Sequence, residues 1–126
     1  MGSSVGRVAR WPNRVTIGQF EPEFVLISAG FDAHRDDPLA SLEMTEAGFA
    51  ALTSGLLKIA DRWAHGRCAA VLEGGYDLEA LARSVETVVR RMSGGTSMHD
   101  GGDAATRALP ETLDEVFKIQ SRYWRV

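Results

Sequence analysis

Two stretches decide the fold of this chain: Leu26-Ile27-Ser28-Ala29-Gly30-Phe31-Asp32-Ala33-His34 and Leu72-Glu73-Gly74-Gly75-Tyr76-Asp77-Leu78. Each starts as an apolar run, breaks at glycine beside a polar group, and gives way to a helical pattern. In an open α/β sheet that junction is the carboxyl end of a strand, where ligands and catalytic groups collect. Asp32 and Tyr76 are therefore expected on the same edge of one sheet.

Working outward, Phe24-Val25-Leu26-Ile27 is continuously apolar rather than alternating, which predicts a strand covered on both faces, as in a parallel sheet. Residues 30–44 read as a long functional loop, with Asp36-Asp37-Pro38 a solvated turn. Thr45 is a good N-cap and Glu46 suits the first turn of a helix. Phe49, Leu52, Leu56, Ile59, Ala60 and Trp63 then recur at three- and four-residue spacing, an apolar helix face over roughly 46–63 that Gly66 stops. Cys68–Leu72 reads as a second short strand. Gly74-Gly75 ends it with backbone that calls for positive φ or close approach. Asp77 can cap the next helix, whose apolar stripe is Leu78, Leu81, Ala82, Val85, Val88, Val89 and Met92. Arg90 and Arg91 suit its last turn, and Gly94-Gly95 end it.

The flanks are less patterned. Residues 1–17 form a weakly patterned N-terminal segment in which Val15-Thr16-Ile17 suggests a cap or short edge strand. Residues 93–106 are rich in Gly, Ser and Asp and read as a loop. Pro110 opens a last helix, with Leu109, Leu113, Val116, Phe117 and Ile119 supplying apolar surface. The order strand, helix, strand, helix, helix predicts an α/β layered fold whose two strands are parallel through a right-handed crossover. Two strands leave unpaired edges. Either the N-terminal segment or another chain is expected to cover them.

Composition narrows the function classes. The chain has 126 residues, is 44% hydrophobic and 25% charged, and carries a formal net charge of -3, the balance of an ordinary globular domain. No basic run or basic-aromatic stripe supports nucleic-acid binding, and no apolar run is long enough to span a bilayer. Cys68 is the single cysteine. That excludes an intrachain disulfide, fits a reducing cytoplasm and leaves Cys68 a small buried hydrophobe.

The segment Ser28-Ala29-Gly30-Phe31-Asp32-Ala33-His34-Arg35-Asp36-Asp37-Pro38-Leu39 resembles a hallmark of the histone deacetylase superfamily. The nearest flavour is the class II-like group, with bacterial histone deacetylase-like amidohydrolases, acetylpolyamine amidohydrolases and acetoin-utilisation proteins. Leu72-Glu73-Gly74-Gly75-Tyr76-Asp77-Leu78 resembles the same superfamily's Glu-Gly-Gly-Tyr segment. Thr45-Glu46-Ala47-Gly48-Phe49 and Gln120-Ser121-Arg122-Tyr123-Trp124 extend the likeness. It covers residues 18–126, which are thereby read as the C-terminal portion of a deacetylase-like domain: a three-layer αβα fragment of the arginase/deacetylase-type fold with a small, mainly parallel sheet.

The resemblance implies roles residue by residue. Asp32 falls at one of three protein ligands of a catalytic zinc. Tyr76 falls at the tyrosine that polarises the scissile acetamide carbonyl and steadies the oxyanion. Gly74 and Gly75 fall along the acyl channel. The superfamily's other two zinc ligands, in an Asp-x-His motif, and its adjacent His-His pair have no counterpart here. The three histidines are His34, His65 and His99, none next to another. A catalytic zinc needs three protein ligands plus water. The chain is therefore expected to be inactive alone and not to bind zinc unaided.

Plain structural roles compete with each of these. Without the resemblance Asp32 reads as a loop-capping carboxylate, and Tyr76 as a buried aromatic with a satisfied hydroxyl. Glu73 reads as accepting loop backbone bonds. His34 suits local packing better than a makeshift metal site with Asp32 and Asp36. Three functional readings remain: a deacetylase fragment without independent hydrolase activity, a deacetylase of acetyl-lysine or acetylpolyamine completed in trans by another chain, and a non-enzymatic module that self-associates as a homo-oligomer through its uncovered faces.

Overall fold

Parallel pairing joins two apolar runs far apart in sequence, Val25–Ala29 (β1) and Cys68–Leu72 (β2), with Val25 opposite Cys68 and Ala29 opposite Leu72. The computed structural model describes residues 17–94 and 111–125. Two compact units are present, one of residues 23–101 and the other of 1–22 with 102–126. The larger unit runs β1, α1 (Glu46–Trp63), β2, α2 (Leu78–Met92).

Local signals set the helix ends. The Thr45 hydroxyl accepts from the Gly48 amide at 3.4 Å to open α1, and Asp77 Oδ1 accepts from the Ala80 amide at 2.7 Å to open α2. Gly66, at φ 74°, turns the chain out of α1 and donates its amide to the Ala60 carbonyl, the glycine C-terminal stop expected from sequence. The ladder runs on past the strands: the Glu73 amide donates to the Ala29 carbonyl, and the Phe31 amide to the Gly74 carbonyl at 2.7 Å. That extension brings the two glycine-containing junctions together.

The core is small. Phe31 and Phe49 meet edge to face at 5.0 Å beside Val88, flanked by Ala29, Ala33, Met44, Leu81, Val85 and Met92. The inward face of α1 is rotated from the expected one. Phe49, Ala50, Thr53 and Ala60 are buried and Leu52 is exposed. Small side chains at these positions let α1 pack closely. Thr53 satisfies its hydroxyl on the Phe49 carbonyl at 2.8 Å, so a polar residue is tolerated there. Likewise α2 turns Ala80, Ser84 and Val88 inward, leaving Leu78 and Val89 exposed.

The sheet departs from the expectation of two covered faces. The register puts Leu26 and Ser28 on one face with Ala69 and Val71. Leu26 is 67% and Val71 52% exposed. The opposite face, through Ala29, packs on the core. Apolar continuity reports strands that want cover on both sides, and among the described residues only one side receives it.

In the smaller unit, residues 17–20 are helical, so Ile17 is not part of an edge strand. The Gln19 side chain donates to the Arg125 carbonyl at 3.0 Å and accepts the Arg125 amide at 3.1 Å. The last helix, α3, is Glu111–Gln120. Leu109, Pro110, Val15, Thr16 and the loop from residue 95 onward lie outside the described residues.

Phe49 bridges both helices and the Phe31 junction, so its loss leaves a void that so thin a core cannot close. Phe49→Ala is expected to cost about 3–5 kcal/mol, read as a lowered urea midpoint at unchanged m-value.

Candidate active site at the strand edge

Asp32 follows the last ladder bond of the β1 side, and its carboxylate lies against Gly74. A methyl group built on the Gly74 Cα would stand 3.0 Å from Asp32 Oδ1 and Cγ. A side chain at Gly74 would require the Asp32 carboxylate to give way by a few tenths of an ångström. Gly75, at φ 135°, lies in backbone territory that side chains resist, and a Cβ there would meet Leu81 Cδ1 at 2.8 Å. The glycine pair thus combines the two properties expected of it, close approach at Gly74 and positive φ at Gly75. Among the described residues the Asp32 carboxylate has no hydrogen-bond or ion-pair partner. It therefore does not cap its loop. Tyr76 follows directly and is 60% exposed, so it is not a buried aromatic.

The turn Asp36-Asp37-Pro38 is not simply solvated. Asp37 is 7% exposed, and its carboxylate crosses to the other junction. Oδ2 accepts the amides of Tyr76 at 2.7 Å and Asp77 at 3.3 Å, while Oδ1 accepts the amide of Leu39 at 3.0 Å. Burial opposes its ionisation, but the three amides and nearby His34 outweigh that and hold its carboxyl below the ordinary range. Sequence reasoning missed this role. Asp-Pro in a polar stretch signals a turn, and no local pattern announces a partner 39 residues away.

His34 packs as expected rather than ligating. It is 1% exposed and stacks near Phe49, and its Nδ1 accepts the Asp36 amide at 3.1 Å. That bond leaves the proton on Nε2, which lies 3.4 Å from Glu46 Oε1 in poor hydrogen-bond alignment. Arg83 of α2 closes the cluster, donating from Nε to Glu46 Oε1 at 2.6 Å and from Nη2 to Asp36 Oδ2 at 3.2 Å. The loop is also pinned at its base, where Arg35 donates to the Met44 carbonyl and Met44 to that of Ala33. Arg83 is the main cause, ahead of Glu46's own amide and His34, of a Glu46 carboxyl lowered to about 2. Glu73 is exposed, and among the described residues its carboxylate accepts no backbone bond. Cys68 is half-buried, and burial pushes its thiol up.

For a zinc ion the fit is partial. Asp32 is a well-presented single oxygen donor, but no group of three His, Cys, Asp or Glu that could hold a metal occurs among the described residues. His34 faces Asp36 and Glu46, not a shared site with Asp32.

The chain matches the histone deacetylase domain model over residues 12–92 and belongs to that family. "Histone deacetylase 10, chloroplastic" of Oryza sativa is 36% identical over 110 residues, covering 82% of this chain and 25% of the relative. A "Probable deacetylase" of Archaeoglobus fulgidus is 31% identical over 123 residues, covering 86% of this chain and 34% of the relative. The solved structure of the histone deacetylase Clr3 superposes with a TM-score of 0.73 at 33% identity, covering 90% of this chain and 19% of that one. An α/β, parallel-stranded fold of the histone deacetylase type is therefore established. The chain spans between 19% and 34% of the length of these proteins. Among the described residues no helix is long and apolar enough to cross a membrane.

The depressed Glu46 carboxyl has a signed consequence. Its stabilising share is complete above its unfolded value near 4.5 and fades as pH falls toward about 2. Thermal unfolding between pH 6 and 2 should show a falling midpoint, with Glu46→Gln less stable at neutral pH and flatter through the acid range.

Proposed function

We propose that this chain supplies one side of a zinc-dependent deacetylase site, with Asp32 as one metal ligand, Tyr76 as the carbonyl-polarising group and Gly74-Gly75 as part of the acyl channel. The observation that carries this reading is the unpartnered Asp32 carboxylate held against Gly74, on the strand edge that also presents Tyr76. A bound zinc would polarise an acetamide carbonyl and lower the pKa of a bound water. The exposed phenol of Tyr76 donates a hydrogen bond where negative charge develops on the carbonyl oxygen. Acetyl-lysine or an acetylpolyamine is the substrate class that fits this chemistry.

The 126 residues alone are proposed to be inactive. Their three histidines are nowhere adjacent, and Asp32 gains no second ligand among the described residues. The remaining ligands and the proton-transfer pair come from deacetylase sequence beyond these residues, in the same protein or another one. The bare sheet face at Leu26 and Val71 favours a second reading, self-association, which light scattering showing only monomer at high concentration would end.

The test of the main reading mixes this chain with the part of the Archaeoglobus deacetylase outside the stretch it matches. Zinc-dependent release of acetate from an acetyl-lysine peptide is expected only from the mixture. Tyr76→Phe should lower the rate about 10²–10³-fold, and Asp32→Asn should abolish tight zinc binding. Turnover by this chain alone would overturn its proposed inactivity.

A further inference from the structure

We infer that Asp37 is a positioning residue that sets the placement of Tyr76 relative to Asp32, an inference that deepens the deacetylase reading of this edge. The Tyr76 side chain is 60% exposed and, among the described residues, makes no hydrogen bond or ring contact, so its place follows from its backbone. That backbone has two anchors. One is the start of α2, capped by Asp77. The other is Asp37 Oδ2, which accepts the Tyr76 and Asp77 amides at 2.7 and 3.3 Å.

Asp37 is in turn tied to the Asp32 side of the edge. Its amide donates to the His34 carbonyl at 2.9 Å, and the His34 amide donates to the Phe31 carbonyl at 3.0 Å. The chain from Phe31 to Asp37 is thus wound into consecutive turns, with Asp32 at its start and the bridging carboxylate at its end. On the far side, Gly75 holds a positive φ and Gly74 touches Asp32. One buried carboxylate therefore couples both halves of the edge without touching a reacting atom. Neutralising it removes a charge-assisted acceptor from two neighbouring amides, and hydrogen bonds of that kind are the strong ones.

The experiment uses the full chain, by NMR, with Asp37→Asn and Asp37→Glu compared with the parent. In the parent, the Tyr76 and Asp77 amide signals should shift together in a single titration below the ordinary carboxylate range. His34, Asp36 and Asp77 are the titrating groups beside them, and His34→Gln controls for the nearest. In Asp37→Asn that titration should vanish and Tyr76 amide exchange should rise about tenfold, while the Phe31 and Phe49 ring signals stay in place. Asp37→Glu should restore part of the protection. Unchanged Tyr76 and Asp77 signals in a folded Asp37→Asn chain would overturn the inference. So would loss of the ring signals in step with those of Tyr76, which marks Asp37 as merely structural. The deacetylase reading is judged separately, by Tyr76→Phe in the mixed assay: a Tyr76→Phe mixture as active as the parent sinks that reading and leaves the NMR result standing on its own.

Discussion

The constraint on which this strand edge depends is the need to satisfy backbone donors where two strands stop. Beyond Ala29 and Leu72 the ladder carries on for two bonds, from Glu73 to Ala29 and from Phe31 to Gly74, and then diverges. Past that point the Tyr76 and Asp77 amides would be left without partners near the start of a helix. Asp37 supplies the acceptor from the opposite loop. A buried donor left unpaired costs more than a made hydrogen bond returns. The loop of residues 30–44 is therefore held as a unit rather than as a solvated excursion.

A second layer of charge holds the same loop from outside. Arg83 reaches from α2 to Glu46 at the start of α1 and to Asp36 in the loop. Exposed ion pairs contribute little singly. Here one guanidinium spans three elements, with buried His34 behind it. The contrast with Arg90 and Glu86, one turn apart on α2, is instructive, because that pair links nothing the helix does not already link.

Much of this was legible in sequence, and the reasons differ by element. Both long helices were readable from Thr45 and Asp77 as caps and from Gly66 and Gly94 as stops, since capping chemistry is local. The strands were readable because continuous apolar runs between breakers leave few alternatives. The inward helix faces were less so: period alone favoured Leu52 and Val89, while packing chose Ala50, Thr53 and Ser84, whose small side chains admit close neighbours. Asp32 and Tyr76 were visible because each follows an apolar run and falls in a long motif. Asp37 and the Arg83 cluster were not, because their partners lie 37 to 47 residues off and become neighbours only through the parallel crossover.

The sheet, two-stranded among the described residues, also bears on how this chain behaves in a crowded solution. Val25–Ala29 and Cys68–Leu72 contain no charge and no proline, and an unpaired strand edge is a template for recruiting further strands. The residues at the strand ends are of another kind: Pro22 and Glu23 precede β1, while Arg67 and Glu73 bracket β2. Charges and proline in such places act as gatekeepers against intermolecular β-pairing. Glu73, which accepts no backbone bond among the described residues, thereby acquires a purpose. Its carboxylate makes the end of β2 a poor seed for amyloid-like stacking.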